Sequence, residues 1–164
     1  MPNFDIAYKF TEQMEGGWSD VKEDRGGLTA WGISSKAHPE FFEGEPTKEK
    51  AIEIYRNDYW LANKCDQFNH DIPAVWLFDV SVNSGRTGVK HFQMAIGADI
   101  DGVIGPQSIQ AADKMQLVDI NHQACRVRQN FYRQLAAGDP SQKKFLRGWL
   151  NRAELCYKYS TELL

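Results

Sequence analysis

Residues 15–32 begin Glu15-Gly16-Gly17-Trp18-Ser19-Asp20 and, after a short gap, continue Asp24-Arg25-Gly26-Gly27-Leu28-Thr29-Ala30-Trp31-Gly32. The glutamate lies where an apolar helix ends, and two Gly-Gly pairs and two tryptophans follow it. Glycine allows a sharp turn and a close approach of the backbone to a ligand, and tryptophan presents a flat apolar face. A carboxylate beside aromatic surface on a glycine-shaped loop is what sugar-cleaving chemistry requires. This stretch therefore predicts a glycosidase.

Glu15 has the surroundings of a general acid, which must hold its proton near neutral pH. The negative end of a helix disfavours a second negative charge, and apolar neighbours such as Met14 and Trp31 penalise the ionised carboxylate. Lys or Arg is the usual residue in a last helical turn, and a residue that breaks a local rule is often functional. The pattern favours Glu15 as a catalytic group over a surface glutamate.

Four further residues of this stretch are candidates for the site. Asp24 and Thr29 could position water or stabilise positive charge that develops on a sugar ring, although a loop aspartate is more often a turn residue. Trp18 and Trp31 either stack on sugar faces or pack in the core, and the core is the commoner place for a single tryptophan.

The hydrophobic pattern predicts a mainly α protein. Phe4, Ala7, Phe10 and Met14 lie at helical spacing and predict a first helix over residues 4–14. Residues 18–45 are predicted to be irregular, with a short β-hairpin around residues 24–27. A second helix is predicted to begin at Pro46-Thr47, with Thr47 as N-cap, and a third to run from near Pro73 to about Asn83. Further helices are predicted over residues 87–96, over residues 107–137 with a break, and over residues 141–163.

The chain has 164 residues and a net charge of −3, but the charge is unevenly distributed. Residues 114–164 contain nine Lys and Arg against four Asp and Glu, a balance of +5. This basic part either approaches an anionic polymer or forms solvated helix faces. The acidic pI near 5.8 and the lack of a basic-aromatic motif argue against a nucleic-acid partner.

These motifs resemble the N-acetylmuramidases of glycoside hydrolase family 108, which include phage endolysins and secretion activator proteins. The resemblance begins with Glu15-Gly16-Gly17-Trp18 and the Asp24–Gly32 segment, and it continues through residues 55–60 and 78–85. Residues 101–108 resemble the Asp-Gly-x-x-Gly-Pro-x-Thr turn of the family's peptidoglycan-binding region, and residues 145–152 resemble its closing helix.

The resemblance implies a lysozyme-like helical fold. It also implies a catalytic lobe over residues 1–86 and a helical peptidoglycan-binding-like region over residues 87–164, packed as one compact unit. The substrate would be the β-1,4 bond between N-acetylmuramic acid and N-acetylglucosamine, with Glu15 as the catalytic acid.

Asp24 is carried over as the second catalytic group. A neighbouring family of phage-type lysozymes spaces Glu, Asp and Thr by eight and five residues, whereas eight and four residues separate Glu15, Asp24 and Thr29. Trp18, Thr29 and Trp31 are assigned to substrate binding, together with Asp79 and Asn83. The last two share a helix face: they either line the floor of the cleft or support residues 18–45 from below, and the supporting role is favoured.

No cofactor or metal is predicted. The four histidines lack the spacing of a zinc site, and residues 99–110 fail the register of a calcium-binding loop. No apolar run approaches the ~20 residues of a membrane span, and the N-terminus lacks the pattern of a secretory signal peptide. The sequence therefore predicts synthesis in the cytoplasm and action at the periplasmic cell wall after release, through a holin or a secretion route. The alternative is a non-catalytic cell-wall-binding protein with a lysozyme-like fold.

Overall fold

The computed structural model of the chain describes residues 1–15, 22–24 and 27–164, with the backbone alone for residues 22–24. Six α-helices dominate the described part, and a small sheet follows the first helix. The mainly α fold with a short hairpin after the first helix is thereby confirmed. The helices are α1 (Phe4–Met14), α2 (Lys48–Ile54), α3 (Asp71–Ala95), α4 (Pro106–Asp113), α5 (Leu117–Gly138) and α6 (Lys143–Thr161).

The sheet is antiparallel and has three short strands in the order β1 (Lys22–Asp24), β2 (Gly27–Ala30) and β3 (Ile33–Ser34). Asp24 pairs with Gly27 at the end of the first hairpin, and Ala30 pairs with Ile33 at the end of the second. The first hairpin is the one that the sequence predicts around residues 24–27.

Two predicted helix starts are confirmed in detail. α1 covers residues 4–14 as its apolar spacing predicts. Thr47 caps α2, since its side chain accepts a hydrogen bond from the backbone N–H of Lys50. After Ile54 the chain continues as a π-helical segment over Tyr55–Leu61, a rare conformation that frequently marks functional sites.

α3 is the central helix, and α1 and α5 pack against it. Its side chains Trp76, Phe78 and Phe92 are almost fully buried, and Phe78 meets the ring of Phe4 edge-on at 5.7 Å. Within α3, Gly85 adopts φ 54° and ψ −137°, which breaks the helical path. A left-handed φ of this kind favours glycine, so the break falls where the sequence predicts one helix to end and another to begin.

Hydrogen bonds fasten the last helix to the rest of the chain. The indole N–H of Trp76 donates to the Asn121 side chain at 2.8 Å, and the Asn121 amide donates to the carbonyl of Tyr157 in α6 at 3.1 Å. Tyr159 of α6 donates to the carbonyl of Ile6 in α1 at 2.8 Å. The C-terminal helix is thus held against both α1 and α5. None of the helices in the described ranges combines the length and apolar character needed to cross a bilayer.

Candidate active site

Glu15 terminates α1. Its backbone N–H still donates to the carbonyl of Thr11 at 2.9 Å, so the residue caps the helix and its carboxylate lies at the negative end. The side chain is 27% exposed, so part of it remains accessible to solvent. The position agrees with the one that the apolar spacing of α1 predicts.

An arginine from the other end of the chain holds Glu15. Arg152 of α6 donates from Nη1 to Glu15 Oε1 at 3.0 Å. It also grips Asp79 of α3 with a two-pronged contact, Nη2 to Oδ1 at 2.8 Å and Nε to Oδ2 at 3.2 Å. The hydroxyl of Thr11 donates to Asp79 Oδ1 at 3.0 Å. Arg152 therefore joins three helices at the carboxylate predicted to be catalytic.

Charge balance explains why this cluster is stable in a buried place. Burial alone would lower the pKa of Arg152, but the carboxylates of Asp79 and Glu15 outweigh burial and raise that pKa above its ordinary value. Asp79 is 4% exposed and binds Arg152 through both oxygens, so this pair is mutually neutralised. Glu15 receives one N–H of the arginine through Oε1, and its Oε2 has no hydrogen-bond partner among the described residues.

The turn between β2 and β3 forms the wall next to Glu15. Trp31 and Gly32 both have positive φ, 48° and 77°, as a two-residue hairpin turn requires. A Cβ on Gly32 would clash with the hydroxyl of Tyr55 and come within 3.3 Å of Glu15 Cβ. Only glycine therefore permits this close contact of turn and carboxylate.

Trp31 carries backbone strain, because a bulky residue at positive φ is uncommon and costs on the order of 1 kcal/mol. The hydroxyl of Tyr55 donates to its carbonyl at 3.0 Å and fixes the turn. The half-buried indole meets Phe41 edge-on at 6.5 Å. Strain of this kind, held in place by neighbouring groups, is found repeatedly at functional sites.

Two tyrosines next to the carboxylate remain neutral. Burial, followed by the Glu15 carboxylate, raises the pKa of Tyr55. Burial, Asp58 and then Glu15 raise the pKa of Tyr59. Both phenols therefore keep their protons near neutral pH, and Tyr55 donates a hydrogen bond to the carbonyl of Trp31.

A second polar cluster lies one helical turn beyond Asp79. The Asn83 side-chain oxygen accepts from Arg128 Nη2 at 2.8 Å, from the hydroxyl of Tyr132 at 2.8 Å and from Ser84 Oγ at 3.2 Å. Arg128 also contacts Nδ1 of His91 at 2.9 Å. Burial and the Arg128 charge lower the pKa of His91 to about 4, so its ring is neutral and accepts.

The predicted site residues are placed as follows. Asp79 is buried under Glu15 and is bound by Arg152, whereas Asn83 is half-buried and belongs to the second cluster. Thr29 is half-buried in β2, where it pairs with Lys22 and Ser34. The backbone of Asp24 ends β1, but its side chain lies outside the described residues, as does the whole of Trp18.

Sequence reasoning did not single out Arg152, Arg128 or Tyr132. Arg152 is part of the block at residues 145–152, but nothing in its spacing links it to residue 15. A search for a basic partner of the helical Asp79 would have been the available signal, since a carboxylate in an apolar helix requires one. Within the described ranges, no group of three His, Cys, Asp or Glu side chains is placed to hold a metal ion.

Comparisons with known proteins indicate the family and the fold of the chain. Residues 8–85 match the family model described as Glycosyl hydrolase 108, and residues 87–154 match the one described as Predicted Peptidoglycan domain. The fold is similar to the structure of SagA from Brucella abortus, with a TM-score of 0.78 and 28% identity over 98% of this chain and 94% of that one. No curated protein matches the sequence.

Proposed function

Because the chain belongs to the glycosyl hydrolase 108 family and also matches a peptidoglycan domain, we propose that it is an N-acetylmuramidase with Glu15 as its general acid. It would cleave the β-1,4 bond between N-acetylmuramic acid and N-acetylglucosamine. One observation carries the proposal: Arg152 anchors one oxygen of Glu15 while the other oxygen is unpartnered among the described residues, beside the Gly32 turn.

The charge of the cluster changes when Glu15 gives up its proton. With Glu15 protonated, the Asp79–Arg152 pair leaves the cluster neutral. After the proton has left, the carboxylate of Glu15 still has an N–H of Arg152 at 3.0 Å to stabilise it. The same contact fixes which way the carboxyl faces, which is the positioning that proton transfer requires.

In the proposed reaction Glu15 transfers its proton to the oxygen of the glycosidic bond. The bond between that oxygen and C1 of N-acetylmuramic acid breaks, and its electron pair stays on the protonated leaving group. Water then adds to C1 and loses a proton to a base, which leaves N-acetylmuramic acid at the new reducing end. Asp24, at the end of β1, is our proposal for the second carboxylate.

The remaining candidate residues from the sequence are assigned to sugar binding or to support of the site. Trp31 would present its half-buried indole to a sugar face from the strained turn beside Glu15. Trp18 and Thr29 complete the proposed binding residues on the same segment. Asp79 acts through Arg152 in this proposal, because its own oxygens are already taken by Arg152 and Thr11.

We assign residues 1–86 to the catalytic part and residues 87–164 to peptidoglycan binding, within one compact unit. A groove of about 350 Å³ supports a shared role, because Tyr59 and Asn63 line it from the first part and Gly102 and Val103 from the second. The basic residues of α5 and α6 would favour the carboxylates of peptidoglycan stems.

The setting of this activity is the cell wall. Synthesis in the cytoplasm followed by release through a holin or a secretion route would serve phage-driven lysis or secretion-linked wall remodelling. The second candidate is a non-catalytic wall-binding protein. The match to a peptidoglycan domain supports binding to the wall, which this candidate also requires.

The test is the clearing of purified Gram-negative peptidoglycan by the wild type and by Glu15→Gln, with mass spectrometry of the new reducing ends. We expect N-acetylmuramic acid ends with the wild type and a loss of at least about 100-fold with the variant, because general acid catalysis contributes about 10²–10⁴-fold. Glu53→Gln, an exposed change on α2 of equal charge, is the matched control and should clear at the wild-type rate.

Equal clearing by wild type and Glu15→Gln would remove Glu15 from the mechanism. Binding to peptidoglycan without clearing by either protein would establish the wall-binding alternative. N-acetylglucosamine at the new reducing ends would show a glycosidase of different bond specificity.

A further inference from the structure

Among the described residues, the amide oxygen of Asn83 is hydrogen-bonded, whereas its NH2 group is not. Its oxygen accepts three hydrogen bonds, from Arg128, Tyr132 and Ser84. An arginine only donates, so the atom facing Arg128 is the amide oxygen and the NH2 group points away from the cluster. Among the described residues that NH2 group has no acceptor, and Asn83 is half-buried and reaches solvent.

The surroundings of Arg128 show that asparagine is not the residue at position 83 that would stabilise the cluster most. Its side chain is 3% exposed, and its partners His91, Asn83, Ser84 and Tyr132 are all neutral. No carboxylate among the described residues lies within 4.0 Å of it. Buried charges are normally paired. An aspartate at position 83 would have the same shape as asparagine and would neutralise Arg128, but it would lack the N–H donors.

The Asn83 side chain is one helical turn away from the residue that shares Arg152 with Glu15. Asn83 follows Asp79 by one turn on the same face of α3, and Asp79 lies under Glu15 on the arginine that binds both. Tyr132, which donates to Asn83, is close enough to Arg152 and Asp79 for their charges to affect its pKa. Burial raises the pKa of Tyr132, Arg128 and Arg152 lower it, and Asp79 raises it.

We propose that Asn83 is a specificity residue whose N–H group donates to the acetamido carbonyl of an N-acetyl sugar, and that Arg128 and Tyr132 are positioning residues for it. The proposal rests on the proposed function, because it takes the glycan as the ligand. An acetamido carbonyl is a strong neutral acceptor, and the adjacent Arg128 charge polarises the amide and strengthens its N–H donors. A site built around such a bond discriminates against ligands that accept it poorly.

The decisive variant is Asn83→Asp, which keeps the shape, gives Arg128 an ion-pair partner and removes the donors. In a Glu15→Gln background, which allows binding without turnover, we expect Asn83→Asp to weaken the tetramer of N-acetylglucosamine by about 10-fold or more in calorimetry. The midpoint of thermal unfolding should be equal or higher. Asn130→Asp, an exposed change of the same charge on the outer face of α5, should leave both measurements unchanged.

A second ligand identifies the contact. The N-trifluoroacetyl form of the same tetramer has a poorer carbonyl acceptor and no added charge. Protein with Asn83 should bind it several-fold more weakly than the N-acetyl form, whereas Asn83→Asp should bind the two forms with similar affinity.

Three results would each overturn the proposal: unchanged tetramer binding by Asn83→Asp, an equal preference for the acetyl form with and without Asn83, or no tetramer binding by any of the proteins. The clearing assay decides the proposed function separately, because it compares Glu15→Gln with the wild type and does not involve Asn83.

Discussion

Replacing Arg152 with methionine tests how the Glu15 site is built. The change keeps the length of the apolar stem but removes the guanidinium, so Asp79 loses two hydrogen bonds, from Nη2 and Nε, and the positive charge that neutralises it. Asp79 is 4% exposed and would retain only the hydrogen bond from Thr11. Removing one partner of a buried ion pair costs about 3–5 kcal/mol, mostly because the other charge is left uncompensated.

That cost is a large part of the about 5–15 kcal/mol that stabilises an ordinary domain. With a urea m-value of about 2 kcal/mol/M, we expect the unfolding midpoint to fall by about 1.5–2.5 M. Equilibrium urea unfolding, followed by far-UV circular dichroism, measures the shift. Clearing of peptidoglycan should fall as well, because Glu15 loses its anchor.

A double-mutant cycle separates the ion pair from simple packing. Asp79→Asn alone leaves Arg152 buried with Glu15 as its only carboxylate, whereas the Asp79→Asn, Arg152→Met double variant leaves no unpaired charge at the Asp79 position. The double variant should therefore be more stable than the two single losses predict, by about 1–3 kcal/mol. A loss below about 1 kcal/mol for Arg152→Met, or strict additivity in the cycle, would refute the reasoning.

Three further changes test neighbouring features. Gly32→Ala should lower the free energy of unfolding by about 1–3 kcal/mol and reduce clearing, since a Cβ meets the hydroxyl of Tyr55 at a positive φ; wild-type stability in a thermal melt would contradict the described turn. Tyr55→Phe should cost about 1 kcal/mol through the lost bond to the Trp31 carbonyl, and a cost near zero in urea unfolding would argue against that bond. The pKa of His91 lies at about 4, below its unfolded value near 6.5, so its contribution to stability is present above pH 6.5 and is lost as the pH falls towards 4. His91→Asn should reduce the difference in the free energy of unfolding between pH 7 and pH 4 by on the order of 1 kcal/mol, after allowance for partial exposure. Unfolding of the wild type and the variant at both pH values measures this difference.

Local signals were sufficient to predict most of the helices. The apolar spacing of α1, the Thr47 cap and the break at Gly85 each depend on a few adjacent residues, so the sequence contains all the information needed. The π-helical segment over Tyr55–Leu61 was not predicted, because its hydrophobic pattern does not differ detectably from that of an α-helix.

The site was predictable only in part, for a physical reason. Glu15 is recognisable because it breaks a local rule at a helix end. Arg152 is separated from it by 137 residues, and that pairing is decided by how α1, α3 and α6 pack. The orientation of the Asn83 amide likewise depends on Arg128, 45 residues away. Pairings over such distances leave no periodic trace in a single sequence.

The contact between residues 15 and 152 also sets an order of events for a newly made chain. A ribosome-bound chain that has not yet reached residue 152 can form α1 and α3, but it cannot anchor the carboxylate of Glu15. Any chain that stops before α6, whether by a premature stop codon or by proteolysis, would carry the glutamate and lack the arginine that aims it. The last helix thus completes the Glu15 cluster, and the proposed hydrolase activity would arise only after translation has passed residue 152.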